Sequence, residues 1–278
     1  MALRHAGDLD LLLIEPSSVW EADRILTEAG YIRTQPDFEL TPLQKSVYMK
    51  IFPDLVYTYK DFEIPIELHW RWTPNPYLFP LSVEEVWQKR ELISIANTKV
   101  ATMSREDILL YLCVHGAKHA WNRLKYLCDI PMLMDNDIER LLARARQLGV
   151  LNMVTQGFLL AHQVLNMPLP PAISAEAQTN PTAQGLVKVA QQVLREDESY
   201  WETDKPLALV KKPARILRVL KYTLKLRPEL KYKRYHLYLK SSSYLDWSLI
   251  RIPDRLFFLY LVLRPFFWLV RHFKKDDK

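Results

Sequence analysis

Apolar positions along this chain follow two rhythms, and the change falls near residue 100. Before it, short apolar runs alternate with turn signals. Leu9–Ile14 reads as a strand, with Leu9 and Leu11 directed into a core. Ser17 or Ser18 then caps a helix through Val19, Ala22, Ile25 and Leu26, which Gly30 ends. Ser46–Phe52, Leu55–Tyr59 and Ile64–Trp72 are rich in β-branched and aromatic residues and are separated by Pro53-Asp54 and Lys60-Asp61, so they predict further strands. The sum is a small mixed sheet with at least one covering helix, followed by an irregular loop at Pro74, Pro76 and Pro80.

From Ser104 onward the period is helical. Ser104-Arg105-Glu106-Asp107 resembles a capping box, and helix patterns run through 108–120, 123–134, 138–148 and 153–165. Pro168, Pro170 and Pro171 break the pattern, which resumes over 182–194, 207–226 and 256–273. The expected class is α+β: an α+β core over residues 1–100 and a helical region over 101–278, with a division near 168–181. The last helix, Leu256–Phe273, is apolar all round but carries Arg264 and Pro265 in its middle. A central arginine costs about 2.5–3.5 kcal/mol on insertion scales, and a span wants about 20 uninterrupted apolar residues. A helix docked on the protein, with Arg264 turned toward a polar groove, is therefore expected, and peripheral membrane contact is the less favoured reading.

Composition narrows the class without naming a chemistry. The chain has 278 residues, 49% of them apolar, and six glycines against eighteen prolines, which excludes a disordered or repeat protein. Cys113 and Cys128 lie in apolar sequence, which argues for a reducing compartment. The first residues lead straight into the acidic strand rather than a signal peptide, so a cytoplasmic location is expected. The net charge of +6 is concentrated in 205–240, from Lys205, Lys211 and Lys212 to Lys240, where Glu229 is almost the lone acid. Leu209, Ile216, Leu217, Leu220 and Leu224 interleave with it as an apolar stripe, so the run reads first as a solvated helix face. No nucleic-acid motif accompanies it, and nucleic acid is not the expected partner.

Candidate chemistry sits at the start. Asp8 and Asp10, two apart on a strand, project from one face, a common way to grip one or two Mg²⁺ ions. Glu67, mid-strand between Ile66 and Leu68, is the best candidate for a third acid, and His69 shares its face. His115, Lys118, Asn122, Lys125 and Asp129 fall near one face if the helix is continuous. His115 and His119 have a zinc-like spacing, but no further ligand accompanies them. Trp70 and Trp121 could stack a base, though core tryptophans are the plainer reading.

Three segments together resemble a known group. Gly7-Asp8-Leu9-Asp10-Leu11-Leu12, Glu67-Leu68-His69-Trp70 and the stretch Leu110–Asp129, containing His115-Gly116-Ala117-Lys118-His119-Ala120-Trp121, are similar to an uncharacterised bacterial nucleotidyltransferase family. That family looks like a branch of the DNA polymerase β-type nucleotidyltransferase superfamily. The likeness extends toward the C-terminus at Asp246-Trp247 and from Leu259-Tyr260 to Arg264-Pro265.

The resemblance implies transfer of an NMP group from an NTP to an acceptor hydroxyl, with release of pyrophosphate and two Mg²⁺ ions as cofactors. Carried onto this chain, Asp8, Asp10 and Glu67 would hold metal and perform catalysis, and Gly7, His115, Lys118 and Lys125 would contact the nucleotide. The acceptor is a small molecule, sugar, peptide or protein. Superfamily members also carry an upstream helix and strand ending in a Lys-Gly or Gly-Ser-like turn whose amides cradle the triphosphate. With the first acid at residue 8, that segment is expected to be missing and transfer to be weak or absent. The alternative is a non-catalytic binding or assembly module on the same fold.

Overall fold

The computed structural model describes residues 7–60, 62–134, 137–196, 213–240 and 243–273. Lys205, Leu209, Lys211 and Lys212 of the basic run lie outside them. Strands β1 (Leu9–Leu12), β2 (Tyr31–Gln35), β3 (Asp54–Tyr59) and β4 (Phe62–His69) form a mixed sheet in the order β1-β4-β3-β2. β1 runs parallel to β4, and the other two pairings are antiparallel.

Between the strands lie α1 (Val19–Glu28), which ends before Gly30 at φ +92°, and α2 (Pro42–Ile51). The latter replaces the strand expected at Ser46–Phe52. Thr41 accepts from the Gln44 amide at 3.2 Å while the Gln44 side chain accepts from the Thr41 amide at 3.0 Å. This capping box, with Pro42 in the first turn, outweighs the β preference of Val47 and Tyr48.

Strand alternation sorts the sheet into two faces. Leu55, Tyr57, Ile66 and Leu68 belong to a buried cluster with Val19 of α1 and Tyr48 of α2. Leu9 and Leu11 stand beside Ile66 and Leu68 in register, yet they are 51% and 39% exposed. The expectation that they enter a core is corrected: β1 is an edge strand, and the buried cluster does not extend over it.

After the sheet come α3 (Val83–Gln88) and an exposed hairpin of β5 (Glu91–Ile95) and β6 (Thr98–Thr102). Its turn residues Ala96 and Asn97 both have positive φ, 46° and 66°. Helices then follow without further strands among the described residues. They are α4 (Arg105–Lys118), α5 (Lys125–Leu133), α6 (Ile138–Leu148), α7 (Leu151–Leu165), α8 (Pro171–Thr179), α9 (Pro181–Arg195), α10 (Pro213–Lys225), α11 (Leu230–Lys240), α12 (Leu245–Leu249) and α13 (Leu259–Phe273). This is the expected α+β class, with a small mixed sheet and a larger helical region.

Contacts group the chain into two compact units, residues 1–76 with 235–278, and residues 77–234. In the first, Trp247, Tyr260 and Phe267 join the sheet's buried cluster. No helix among the described residues is long and apolar enough to cross a membrane. Arg264 pairs with Asp246 at 2.6 Å and Arg271 pairs with the same carboxylate at 3.1 Å, so α13 does turn its cations toward a polar partner. Asp246 is buried and both arginines are partly covered. Asp246→Ala would strand two cations and is expected to cost about 2–3 kcal/mol, somewhat under the range for fully buried pairs. Urea denaturation of the variant against wild type measures it.

In the second unit, Cys113 is buried and Cys128 exposed, and both are free thiols. Trp121 is fully buried, and so is Trp70 of the first unit to within 2%, so both tryptophans belong to cores.

Candidate active site

The parallel register sets Asp10 directly beside Glu67, and Leu12 beside His69. On the other side of β4, Asp54 lies opposite His69 and Val56 opposite Glu67. Side chains alternate along each strand, so Asp10, Glu67, His69 and Asp54 all project from the face opposite Leu55, Tyr57, Ile66 and Leu68.

His69 is the centre of the group. Its Nε2 lies 3.3 Å from Asp10 Oδ1 and 3.2 Å from Glu67 Oε2, and its Nδ1 lies 3.8 Å from Asp54 Oδ2. The ring is 12% exposed, the Asp10 side chain 51%, so the cluster is walled on the sheet side and open beyond Asp10. Burial pulls the His69 pKa down. Hydrogen bonds to Asp10 and Glu67 and the charge of Asp54 outweigh it, leaving the ring at about 10. Three carboxylates around one imidazolium still leave an excess of negative charge, which a further cation would offset.

One ligand atom from each of Asp10, Glu67 and His69 lies within 4.8 Å of the others. The donors fit a divalent ion. The carboxylate oxygens of Asp10 and Glu67 are what Mg²⁺ and Mn²⁺ take. The protonated His69 ring would have to release a proton before its nitrogen could join them, and such a nitrogen suits Mn²⁺ better than Mg²⁺.

The expected site residues divide accordingly. Asp10 and Glu67 are brought together. Asp8 is exposed, one residue before β1, and is not among the convergent donors; Gly7 precedes it in open surroundings. His115 and Lys118 lie on α4, and Lys125 begins α5. The helix joining them is not continuous. Residues 119–124 form a turn in which Ala120 and Trp121 adopt left-handed φ of 48° and 56°, so the single face expected from His115 to Asp129 does not exist.

Asp54 was missed because Pro53-Asp54 reads as a turn. Its signal is the antiparallel register with His69, which the sequence does not display.

His119, beside the turn, packs its ring 4.8 Å from that of His115. Burial, aided by the charges of Lys118 and Arg123, pushes its pKa down to about 3 from an ordinary 6.5. The unfolded chain therefore takes up a proton near pH 6.5 that the folded chain refuses until about pH 3. Stability is expected to fall as pH drops through that window, by up to about 1.4 kcal/mol per pH unit for one proton. Thermal melts at pH 6.5, 5.5 and 4.5 should show the loss. His119→Gln should reduce it without abolishing it, because burial and the charge of Lys240 also hold the His236 pKa down to about 4.

Asp10 and Glu67 thus form an acid pair on adjacent parallel strands of a small mixed sheet, with His69 as a third titratable group. A family model described as uncharacterised nucleotidyltransferase matches residues 1–166, well over half of the chain, and the chain belongs to that family. The match takes in the sheet, the acid cluster and helices α4 to α7, and stops short of Asp246-Trp247 and α13. Neither the curated proteins nor the solved structures yield a significant match.

Proposed function

We propose that the chain transfers an NMP group from an NTP to an acceptor hydroxyl at the Asp10–Glu67 face of the sheet, with a divalent cation, Mg²⁺ or Mn²⁺, as cofactor. The observation that carries this reading is the side-by-side register of Asp10 and Glu67, with His69 within hydrogen-bond distance of both. Asp10 and Glu67 would hold the cation, which when bound neutralises charge on the triphosphate and lowers the pKa of the acceptor hydroxyl.

The protein's own groups do the rest. Asp54 and the sheet backbone fix the His69 ring, and His69 in turn orients the Asp10 and Glu67 carboxylates. The acceptor oxygen attacks the α-phosphorus in line, the bond from that phosphorus to the β-phosphate bridging oxygen breaks, and pyrophosphate leaves with the electron pair. Glu67 takes the acceptor's proton. It stands on the inner strand β4 and is less exposed than Asp10, the better position for a base that must stay oriented. The acceptor's class and the base of the NTP are left open by these residues.

Isothermal titration of each of the four NTPs with MgCl₂ or MnCl₂ tests the reading before any acceptor is known. Saturable binding that requires the metal and disappears in Glu67→Gln is expected. Absence of both metal and NTP binding in the wild type would overturn it in favour of a non-catalytic module.

A further inference from the structure

The sheet face that carries the acid cluster continues beyond His69. The Trp70 amide donates to the Pro53 carbonyl at 2.9 Å, so the β3–β4 pairing runs one residue past the end of β4. Ile66, Leu68 and Trp70 all enter the buried cluster, which shows that strand alternation holds through residue 70. Glu67, His69 and Arg71 therefore share the other face. A strand rise of about 3.3 Å per residue puts the Arg71 backbone about 7 Å beyond that of His69. Both β1 and β4 run toward this end of the sheet, because the two strands are parallel.

Arg71 is a partly covered cation with no acid beside it. Its Nη2 donates to the Phe52 carbonyl at 2.7 Å, and its Nε is buried without a hydrogen-bond acceptor. Among the described residues, no carboxylate lies within ion-pair distance of it. Comparably covered arginines elsewhere in the chain do have one: Arg33 pairs with Asp23 at 2.8 Å, Arg144 with Glu85, Arg227 with Glu229 and Arg264 with Asp246 at 2.6 Å. A neutral carbonyl does not offset a guanidinium charge held partly out of water. Such a group is stabilised by an anion that the protein itself does not supply.

We infer that Arg71 binds the β,γ-phosphate end of the NTP, which makes it a substrate-binding residue of the Asp10–Glu67 face. The inference rests on the transferase chemistry proposed above. Charge selects the occupant. The three carboxylates and one imidazolium of the cluster leave an excess of negative charge, which a divalent ion offsets. A triphosphate then brings more negative charge than that ion alone balances. A guanidinium on the same face supplies the further cation, and its planar fork of N–H donors matches phosphate oxygens. The same contact holds the pyrophosphate as its bond to the α-phosphorus breaks and the electron pair leaves with it.

Isothermal titration of the full chain with the NTPs and the matching NMPs, each in MnCl₂, tests it. Arg71→Gln should bind Mn²⁺ alone as wild type does, because Asp10 and Glu67 are untouched. Its affinity for the NTP should fall about 10- to 100-fold, the worth of a hydrogen bond to a charged group, while its affinity for the NMP is unchanged. Arg71→Lys, which keeps the charge and loses the fork, should recover part of the loss. Thermal melts report any effect of losing the Phe52 contact. Should Arg71→Gln melt early, Arg71→Lys carries the comparison, with weaker NTP binding and unchanged NMP binding expected. Equal NTP affinity in wild type and both variants would overturn this inference and leave the transferase reading standing. A parallel loss of Mn²⁺, NMP and NTP binding would also overturn it, marking Arg71 as a support for the strand end only. Absence of NTP binding in the wild type would overturn both.

Discussion

Glu67→Gln is expected to lower the rate of pyrophosphate release by about 10³-fold or more, with the fold intact. The substitution keeps the shape of the side chain and removes its charge, so the strand pairing and the contact with His69 survive while one of two adjacent anionic ligands is lost. Charge stabilisation of a phosphoryl group at a divalent-ion site is worth several kcal/mol, and each 1.4 kcal/mol is tenfold in rate. Asp10→Asn should fall by a similar factor. Asp8→Asn is the discriminating control: Asp8 is not among the convergent donors, so this variant should lose less than either of the others. Release from each NTP, measured with Mg²⁺ and Mn²⁺ across candidate acceptors, reads all three. Equal turnover in wild type and Glu67→Gln would place the chemistry elsewhere.

Trp121→Ala is expected to destabilise the second unit by about 3–5 kcal/mol, the range for emptying a buried aromatic site. The ring is fully buried in a slot made by two glycines. A Cβ on Gly116 of α4 would lie 2.5 Å from the indole, and one on Gly157 of α7 would lie 2.9 Å from it. The backbone at Ala120 and Trp121 is left-handed, a conformation that costs on the order of 1–3 kcal/mol per non-glycine residue and persists where packing over-determines it. The Trp121 amide donates to the Gly116 carbonyl at 2.8 Å, which fastens the turn to the end of α4. Trp121→Phe should recover most of the loss, while Gly116→Val should cost about 1–3 kcal/mol by overpacking the slot. Chemical denaturation followed by far-UV circular dichroism separates the three.

These two residues show different degrees of legibility. Glu67 announces itself, because an acid between Ile66 and Leu68 on a strand demands a partner. Its position beside Asp10 is another matter. It depends on β1 pairing with a strand more than fifty residues later, in parallel and in one register, and a shift of one residue would have turned the acid to the opposite face. Asp54 was illegible for the same reason. Trp121 could be read as a core residue from its type, but the left-handed turn beneath it could not, since Lys118-His119-Ala120-Trp121 contains no glycine or proline to mark a break. The slot comes from Gly157, on a helix that the sequence does not connect to it.

Local chemistry decided other elements. The Thr41–Gln44 capping box is a local signal, and with Pro42 it outweighs the β preference of Val47 and Tyr48. The arginine in the final helix was rightly expected to seek a polar partner, but the identity of Asp246 required the tertiary fold.

By itself the sequence determined the α+β class, most helices of the second half, and the residue types at the site. These follow from short-range periodicity, caps and the cost of placing an acid in an apolar strand. Tertiary structure alone decided that Asp10, Glu67, His69 and Asp54 meet on one face, that Leu9 and Leu11 stay exposed at an edge, and that residues 235–278 return to the first unit's core. Strand partners, edges and long-range docking are set by which surfaces bury one another across the whole chain, and no local window contains that information.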